Sequence, residues 1–190
     1  LAEVDITHEA MEVGPTLHYF MGGIRVDSAT QMTRVPGLFA CGECSGGMHG
    51  ANRLGGNSLS DLLVFGMLSG KSAAKYFKGL EGELKVDPET VDTAIREATA
   101  SLNREDGPNP YIVHEELQAL LDEGVNIVRD KEGLEAALSG IDALKPQAES
   151  AKAHGSSQYN PGWHEAISLG PLFLTAEAVA RAALAREESR

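Results

Sequence analysis

The spacing of hydrophobic and polar residues divides the chain into two parts with different predicted secondary structure. From about residue 81 onward, hydrophobic residues recur at helical spacing, and four helix start signals separate the stretches. Asp87-Pro88, Asn109-Pro110 and Asn160-Pro161 each place a capping side chain before a proline at the first helical position, and Asp130 is predicted to cap another helix. Helices of this length with short connections are expected to pack as an antiparallel bundle.

The last of these hydrophobic stretches contains Gly170-Pro171. A proline inside a helix removes one backbone donor and clashes with the preceding turn, so we expect the helix to kink or break there.

The first part of the chain is rich in glycine and is predicted to form strands and loops before one helix. Leu17–Val26 is predicted as a strand with a bulge at Gly22-Gly23, and Leu38–Cys41 as a short apolar strand. Together the two parts predict an α+β protein with domains at residues 1–80 and 81–190.

Asn57 or Ser58 is expected to cap the helix that closes the first part and runs to about Phe77. Hydrophobic residues surround the first half of this helix on nearly all sides, so we predict that this half is buried.

Charge and hydropathy narrow the class of function. The 190 residues carry a formal net charge of −12, which argues against nucleic-acid binding because phosphate contacts need a basic surface. We find no secretory signal and no run of about 18 apolar residues, so no membrane span is predicted. A reducing, cytoplasmic setting fits best.

The two cysteines, Cys41 and Cys44, form a single C-x-x-C pair. Such a pair can be a redox pair or half of a zinc site, but the sequence offers no second cysteine pair to complete a metal cage. We therefore predict no metal site.

Three side chains between residues 18 and 58 suggest a binding site. Glu43 follows a predicted apolar strand, where ligands bind in open α/β sheets, and could hold a ribose or ribityl hydroxyl. Arg53 precedes a helix start that should attract anions, and its guanidinium could grip a carboxylate with two bonds. His18 adds a titratable group at a strand start. On these residues alone, an ion pair of Arg53 with Glu43 and a core histidine remain an equal alternative.

Several longer segments resemble the flavoprotein subunit of the succinate dehydrogenase and fumarate reductase family. They are HYFMGGI at 18–24, GLFACGEC at 37–44, HGANRLGGNSLSDLLVFG at 49–66, NPGWHEA at 160–166 and EAVARAALAREESR at 177–190. The resemblance implies that residues 1–80 are the C-terminal segment of a Rossmann-like FAD-binding domain and that residues 81–190 are the helical C-terminal domain.

The resemblance also implies a role for individual residues. His18 and Arg53 match the residues that bind substrate carboxylates, Glu43 matches a glutamate that contacts FAD, and Ser58 and Leu59 match positions whose backbone reaches the isoalloxazine ring. His49 and Asn52 are expected to support the same loop.

The implied activity is interconversion of succinate and fumarate by hydride transfer to or from flavin N5. Electrons would pass to an iron–sulfur subunit, and partner subunits would hold the protein peripherally at the inner face of the cell membrane. The family's G-x-G-x-x-G unit for the FAD pyrophosphate does not occur in this sequence. We therefore expect a fragment of a longer flavoprotein that, in isolation, binds FAD weakly or not at all and does not turn over.

Three alternatives remain open at this point. L-aspartate oxidase shares much of the HGANR region, although Leu54-Gly55-Gly56 and Ser60-Asp61 look more like the dehydrogenase and reductase branch. Adenylylsulfate reductase shares the fold, but no motif favours it. The helical part could also serve as a non-catalytic module that docks a partner subunit.

Overall fold

A computed structural model describes residues 4–82 and 85–188 and divides the chain into two compact units, Leu1–Leu84 and Lys85–Ser189. The predicted boundary lay between residues 80 and 81, four positions from the boundary of the units. The first unit contains a 3-10 helix at Gly42–Cys44 and helix α1 at Asn57–Lys78.

The described residues of the second unit form four helices, and all four predicted caps are confirmed. Helices α2 to α5 span Pro88–Asn103, Pro110–Gly124, Lys131–Ser150 and Pro161–Leu184. The side chains of the residues before them accept hydrogen bonds from first-turn amides: Asp87 from Glu89 and Thr90, Asn109 from Tyr111, Asp130 from Gly133, and Asn160 from Trp163. These bonds satisfy amides that have no partner within the helix.

The core of the second unit lies among α3, α4 and α5, which contact one another. Val113, Leu117, Ile141 and Leu169 are at most 2% exposed at its centre. Where α3 ends and α4 begins, a Cβ added at Gly124 would lie 2.5 Å from the Gly133 carbonyl oxygen. The two backbones can therefore approach this closely only because residue 124 has no side chain.

Polar contacts fasten the outer elements of this unit. The indole Nε1 of Trp163 on α5 donates to the carbonyl of Ala98 on α2 at 2.7 Å. Lys145 on α4 donates to Glu177 on α5 at 2.6 Å. Hydrogen bonds from Lys145 and then Arg181 hold the pKa of the Glu177 carboxyl below its ordinary value.

Of the kink or break predicted at Gly170-Pro171, the break does not occur, because α5 continues through Pro171 to Leu184. A proline removes only one helical hydrogen bond. Burial of Leu169 and Phe173 on either side holds this turn against the core, and Thr175 donates its hydroxyl to the Pro171 carbonyl at 2.8 Å.

Helix α5 is also long and apolar enough to cross a membrane by length and composition, with a mean hydropathy of 1.3 over 18 residues. A core helix of a globular domain passes the same test, and Leu169, Phe173, Ala176 and Ala180 of α5 are buried in the bundle core. The hydropathy of this helix is therefore weak evidence for a membrane span.

The two predicted strands are present only as single bridges among the described residues. Ile24 pairs in parallel with Ser45, and Met32 pairs in antiparallel fashion with Phe39. Each bridge is held by two backbone bonds, for example Ile24 N–H to Cys44 O at 2.8 Å and Gly46 N–H to Ile24 O at 3.0 Å. The predicted strands at Leu17–Val26 and Leu38–Cys41 are therefore not formed, because a ladder needs further extended neighbours, which the described part of this unit does not supply.

The prediction that the first half of α1 is buried is also wrong for this chain. Leu59, Leu62, Leu63 and Val64 are 52–74% exposed, and the buried residues of α1 are the polar Asp61 and Ser69. The 3-10 helix packs against α1, with the tip of Leu62 close to Gly42. The loops and the single 3-10 turn of this unit offer too little apolar surface to cover α1.

The parallel bridge depends on glycine at residues 23 and 46. A Cβ added at Gly23 would lie 2.5 Å from the Cys44 carbonyl oxygen, and one added at Gly46 would lie 2.9 Å from the Gly23 nitrogen. Gly23 also has φ +156°, a conformation that other residues rarely adopt.

We expect Gly23→Ala to break this bridge, because the new methyl group would collide with backbone rather than with a movable side chain. Hydrogen exchange of the Ile24 amide should accelerate as its bond to Cys44 is lost. Gly22→Ala is the matched control, since a Cβ at residue 22 meets nothing within 4 Å. Equal protection of the Ile24 amide in both variants would contradict this account.

We expect Asn160→Ala to lower the free energy of unfolding by about 1–2 kcal/mol, because the N-cap of α5 is lost. Asn160 also donates from its amide nitrogen to the carbonyls of His154 and Ser156 at 2.9 and 2.8 Å. Asn160→Asp keeps the capping oxygen and loses only those donors. Its free energy of unfolding should therefore lie between those of the wild type and Asn160→Ala. Urea unfolding measures all three, with Gln158→Ala on the exposed neighbouring turn as a control. Wild-type stability in Asn160→Ala would show that the cap contributes nothing.

Candidate functional site

The 3-10 helix Gly42–Cys44 positions the segment that contains His18. The backbone N–H of Phe20 donates to Oε1 of Glu43 at 3.0 Å, and the bridge at Ile24 fixes the segment four residues further along. Two attachments on one short stretch therefore hold residues 18–24 beside the turn. One oxygen of the predicted FAD-contacting carboxylate is thus used to hold the chain.

Tyr19, His49 and Asp61 meet in a small polar cluster. The Tyr19 hydroxyl donates to Oδ2 of Asp61 at 3.1 Å, and Nε2 of His49 lies 3.4 Å from each of those two oxygens. The rings of Tyr19 and His49 pack edge to face, with centroids 5.5 Å apart. The side chain of Asp61 is 1% exposed and that of His49 is 10% exposed, so the cluster is largely shielded from solvent.

Arg53 lies against this cluster. The Cζ atom of its guanidinium is 4.7 Å from the centre of the Tyr19 ring, within the range of a cation–π contact. Its Nη1 donates to the carbonyl of Leu54 at 3.0 Å. Its Nε is buried and has no hydrogen-bond partner within the described residues. A buried donor without an acceptor is costly, which indicates a place for a ligand acceptor.

Burial of the phenol raises the pKa of Tyr19 above its ordinary value, and the hydrogen bond to Asp61 raises it further. The hydroxyl of Tyr19 therefore stays protonated at physiological pH and remains a donor to Asp61. The cation–π contact of Arg53 consequently involves a neutral phenol ring.

The structure brings some of the predicted site residues together and leaves others apart. His18 is exposed, and its neighbour Tyr19 is the residue that touches Arg53. Arg53 makes no ion pair with Glu43 among the described residues, and His18 is not a core histidine, so the alternative interpretation of these three side chains is not what the structure shows. The roles assigned to His18, Glu43 and Arg53 remain predictions.

The N-terminus of α1 differs from its prediction in one respect. The N-cap is Gly56, with φ +81°, rather than Asn57 or Ser58, and no side chain caps the helix. The amide of Leu59 donates to the Gly56 carbonyl, whereas the amide of Ser58 has no hydrogen bond within the described part of the chain. A left-handed cap suits glycine, and it leaves this positive helix end open.

Sequence reasoning missed Tyr19 and Asp61 and treated His49 only as a supporting residue. Asp61 carried a usable signal, because a single carboxylate within the apolar run of α1 must find a partner if it is buried. Tyr19 carried none, since its contacts with Arg53 and Asp61 join residues 34 and 42 positions away.

The C-x-x-C pair is reduced in the structure. Cys41 and Cys44 are free, and the thiol of Cys44 lies 3.3 Å from the carbonyl of Cys41. Among the residues that the structure describes, no group of three or more His, Cys, Asp or Glu side chains is arranged to hold a metal ion.

The backbone between residues 47 and 56 leaves space for a ligand beside the start of α1. Gly47, Gly50 and Gly56 have positive φ, and a Cβ added at any of them would meet nothing within 4 Å. Open backbone therefore leads to the uncapped start of α1, beside the unpaired Nε of Arg53. This arrangement fits a ligand that brings acceptors and negative charge to the helix end.

Two family models match parts of the chain. A family model described as "FAD binding domain" matches residues 2–59, and a second, described as "Fumarate reductase flavoprotein C-term", matches residues 114–190.

Named relatives match nearly the whole chain. The fumarate reductase flavoprotein subunit of Escherichia coli is 36% identical over 98% of the chain and 31% of its own length. The succinate dehydrogenase flavoprotein subunit of Bacillus subtilis is 34% identical over 95% of the chain and 32% of its own length. A chain of the Mycobacterium smegmatis Sdh1 complex in the apo form superposes with a TM-score of 0.93 at 50% identity, over 100% of this chain and 32% of that one.

The chain thus spans about a third of the length of these relatives. It matches part of an FAD-binding domain followed by a C-terminal helical domain, in the order of its two units. Over nearly its whole length the chain is similar to the flavoprotein subunits of succinate dehydrogenase and fumarate reductase.

Proposed function

We propose that this chain is part of an FAD-dependent oxidoreductase that interconverts succinate and fumarate. The observation that carries the proposal is Arg53, whose guanidinium carbon lies over the Tyr19 ring and whose buried Nε has no acceptor among the described residues. A guanidinium held in this way is suited to bind a carboxylate, and both curated relatives named above are dicarboxylate enzymes by their names.

Arg53 would bind one carboxylate of the substrate. Nε and one terminal nitrogen of a guanidinium lie on the same edge and can donate two parallel bonds to the two oxygens. Because Nη1 is occupied by Leu54, the edge that includes Nε is the one left for a ligand. Two bonds fix the orientation of the dicarboxylate as well as its position, and orientation contributes to rate.

His18 would bind the substrate through a hydrogen bond to a carboxylate. Its exposed imidazole stands on the short segment that is fixed at Phe20 and Ile24. These two attachments support the proposal, because they restrict the backbone that carries the imidazole.

FAD would be held by Glu43 and by backbone at Ser58 and Leu59. When bound, FAD supplies the group that accepts or releases the hydride. The second carboxylate oxygen of Glu43 remains available for a hydroxyl of the cofactor, because Oε1 already accepts from Phe20. The open amide of Ser58 and the positive end of α1 favour negative charge close to the helix.

We also propose the setting of the whole flavoprotein. Electrons would pass to an iron–sulfur subunit, and partner subunits would hold the protein at the cytoplasmic face of the membrane. The support is that the chain matches subunits of larger complexes by name, including the Sdh1 complex.

The substrate assignment can be tested with the flavoprotein that contains this chain, purified with FAD. We expect succinate to reduce an artificial electron acceptor dye and a reduced dye to drive fumarate reduction, because the same residues serve both directions. Aspartate-dependent release of peroxide, without a reaction with succinate, would instead assign the protein to the L-aspartate oxidase branch.

We expect Arg53→Lys to reduce kcat/KM for succinate by at least about tenfold, because an ammonium cannot form two parallel bonds to a carboxylate. Steady-state kinetics measure the effect, with FAD content checked by absorbance. Arg34→Lys is a matched control on the exposed loop of the same unit and should leave kcat/KM unchanged. A wild-type value in Arg53→Lys would remove Arg53 from the substrate site.

A further inference from the structure

Arg53 needs more than its own backbone to hold its guanidinium in one orientation. An arginine side chain rotates about several bonds, and fixing such a side chain costs up to about 2 kcal/mol of entropy. The single bond from Nη1 to Leu54 fixes one corner of the group and leaves the plane free to turn about that corner. A second contact is therefore required to set the plane.

The ring of Tyr19 supplies that second contact. The guanidinium carbon lies 4.7 Å from the ring centre, so the ring supports the charge from one side. A guanidinium above an aromatic ring is attracted by the ring's electrons without using an N–H group in a hydrogen bond, so its donors stay free for other acceptors. The buried Nε is such a free donor.

Asp61 in turn fixes Tyr19. The carboxylate lies on α1, where helical hydrogen bonds hold the backbone, and it is almost fully buried. Its Oδ2 accepts the Tyr19 hydroxyl at 3.1 Å, and the Nε2–H tautomer of His49 can donate to the same oxygen at 3.4 Å. The negative charge also polarises the phenol and strengthens the attraction of its ring for a cation.

We propose that Tyr19 is a positioning residue for Arg53, and that Asp61 and His49 fix Tyr19 in place. This inference rests on the proposed role of Arg53 in binding a substrate carboxylate. Tyr19 does not touch the substrate; it sets the angle at which the guanidinium edge meets the carboxylate.

The test measures binding of a dicarboxylate that cannot react. Malonate has one methylene between its carboxylates and so cannot be desaturated. Its dissociation constant can be measured on the FAD-loaded flavoprotein by calorimetry or by the change in flavin absorbance. We expect Tyr19→Leu to weaken malonate binding about tenfold, because the stacking surface is lost. Tyr19→Phe and Asp61→Asn should each weaken it about threefold, because the ring remains but its anchor is altered.

A double-mutant cycle separates positioning from a general structural effect. If Tyr19 acts through Arg53, Tyr19→Leu should change malonate binding by less than about twofold in an Arg53→Lys background. An undiminished tenfold loss in that background would overturn the proposal. Tyr76→Leu is the matched control: its ring packs against Phe39 in the same unit, away from the cluster, and malonate binding should not change.

Malonate binding by the Arg53 and Tyr19 variants shows whether this inference or the proposed function is wrong. If Arg53→Lys weakens malonate binding but Tyr19→Leu and Tyr19→Phe bind it as the wild type does, the inference is wrong and the proposed function stands. If Arg53→Lys binds malonate as the wild type does, the proposed function is wrong and the inference falls with it. If Tyr19→Leu does not fold, Tyr19→Phe decides, since it keeps the ring and removes only the hydroxyl.

Discussion

A buried carboxylate and a partly buried guanidinium lie on the two sides of one phenol in the first unit. Asp61 accepts the hydroxyl of Tyr19, and Arg53 lies over the ring of the same residue. Burying either charge alone would be costly, because water no longer solvates it. The phenol lowers that cost on both sides, with a hydrogen-bond donor for the anion and a ring face for the cation. The position of Arg53, and with it the proposed carboxylate site, depends on this arrangement.

Glycine makes the arrangement possible, because it lets backbone segments come close together. At Gly23 and Gly46, two segments approach so closely that neither position could accept a methyl group. This contact and the bond from Phe20 to Glu43 determine where Tyr19 stands relative to α1. The dense glycine of the first unit therefore serves two purposes: tight backbone packing at residues 23 and 46, and open backbone at residues 47, 50 and 56.

The sequence predicted the local features of the fold better than the features that depend on distant partners. The caps at Asp87, Asn109, Asp130 and Asn160 were predicted correctly, because a capping side chain acts on amides two or three residues away. Two predictions were wrong: the strands at Leu17–Val26 and Leu38–Cys41, and the burial of the first half of α1. A strand needs neighbouring strands and a buried helix needs apolar surface against it, and a local sequence pattern does not show whether such partners are present. The contact of Tyr19 with Arg53 could not be predicted, since no local pattern records a stacking across 34 residues.

The bare apolar side of α1 has a consequence for the behaviour of the chain in solution. Leu59, Leu62, Leu63 and Met67 expose more than half of their surfaces, yet the chain carries a net charge of −12. Electrostatic repulsion between copies opposes the hydrophobic attraction of these helices, and it acts over about 10 Å at 0.1 M salt. Raising the ionic strength weakens the repulsion and leaves the attraction intact. We therefore expect added salt to shift the chain towards self-association through α1, whose own charged residues are Asp61 and three lysines.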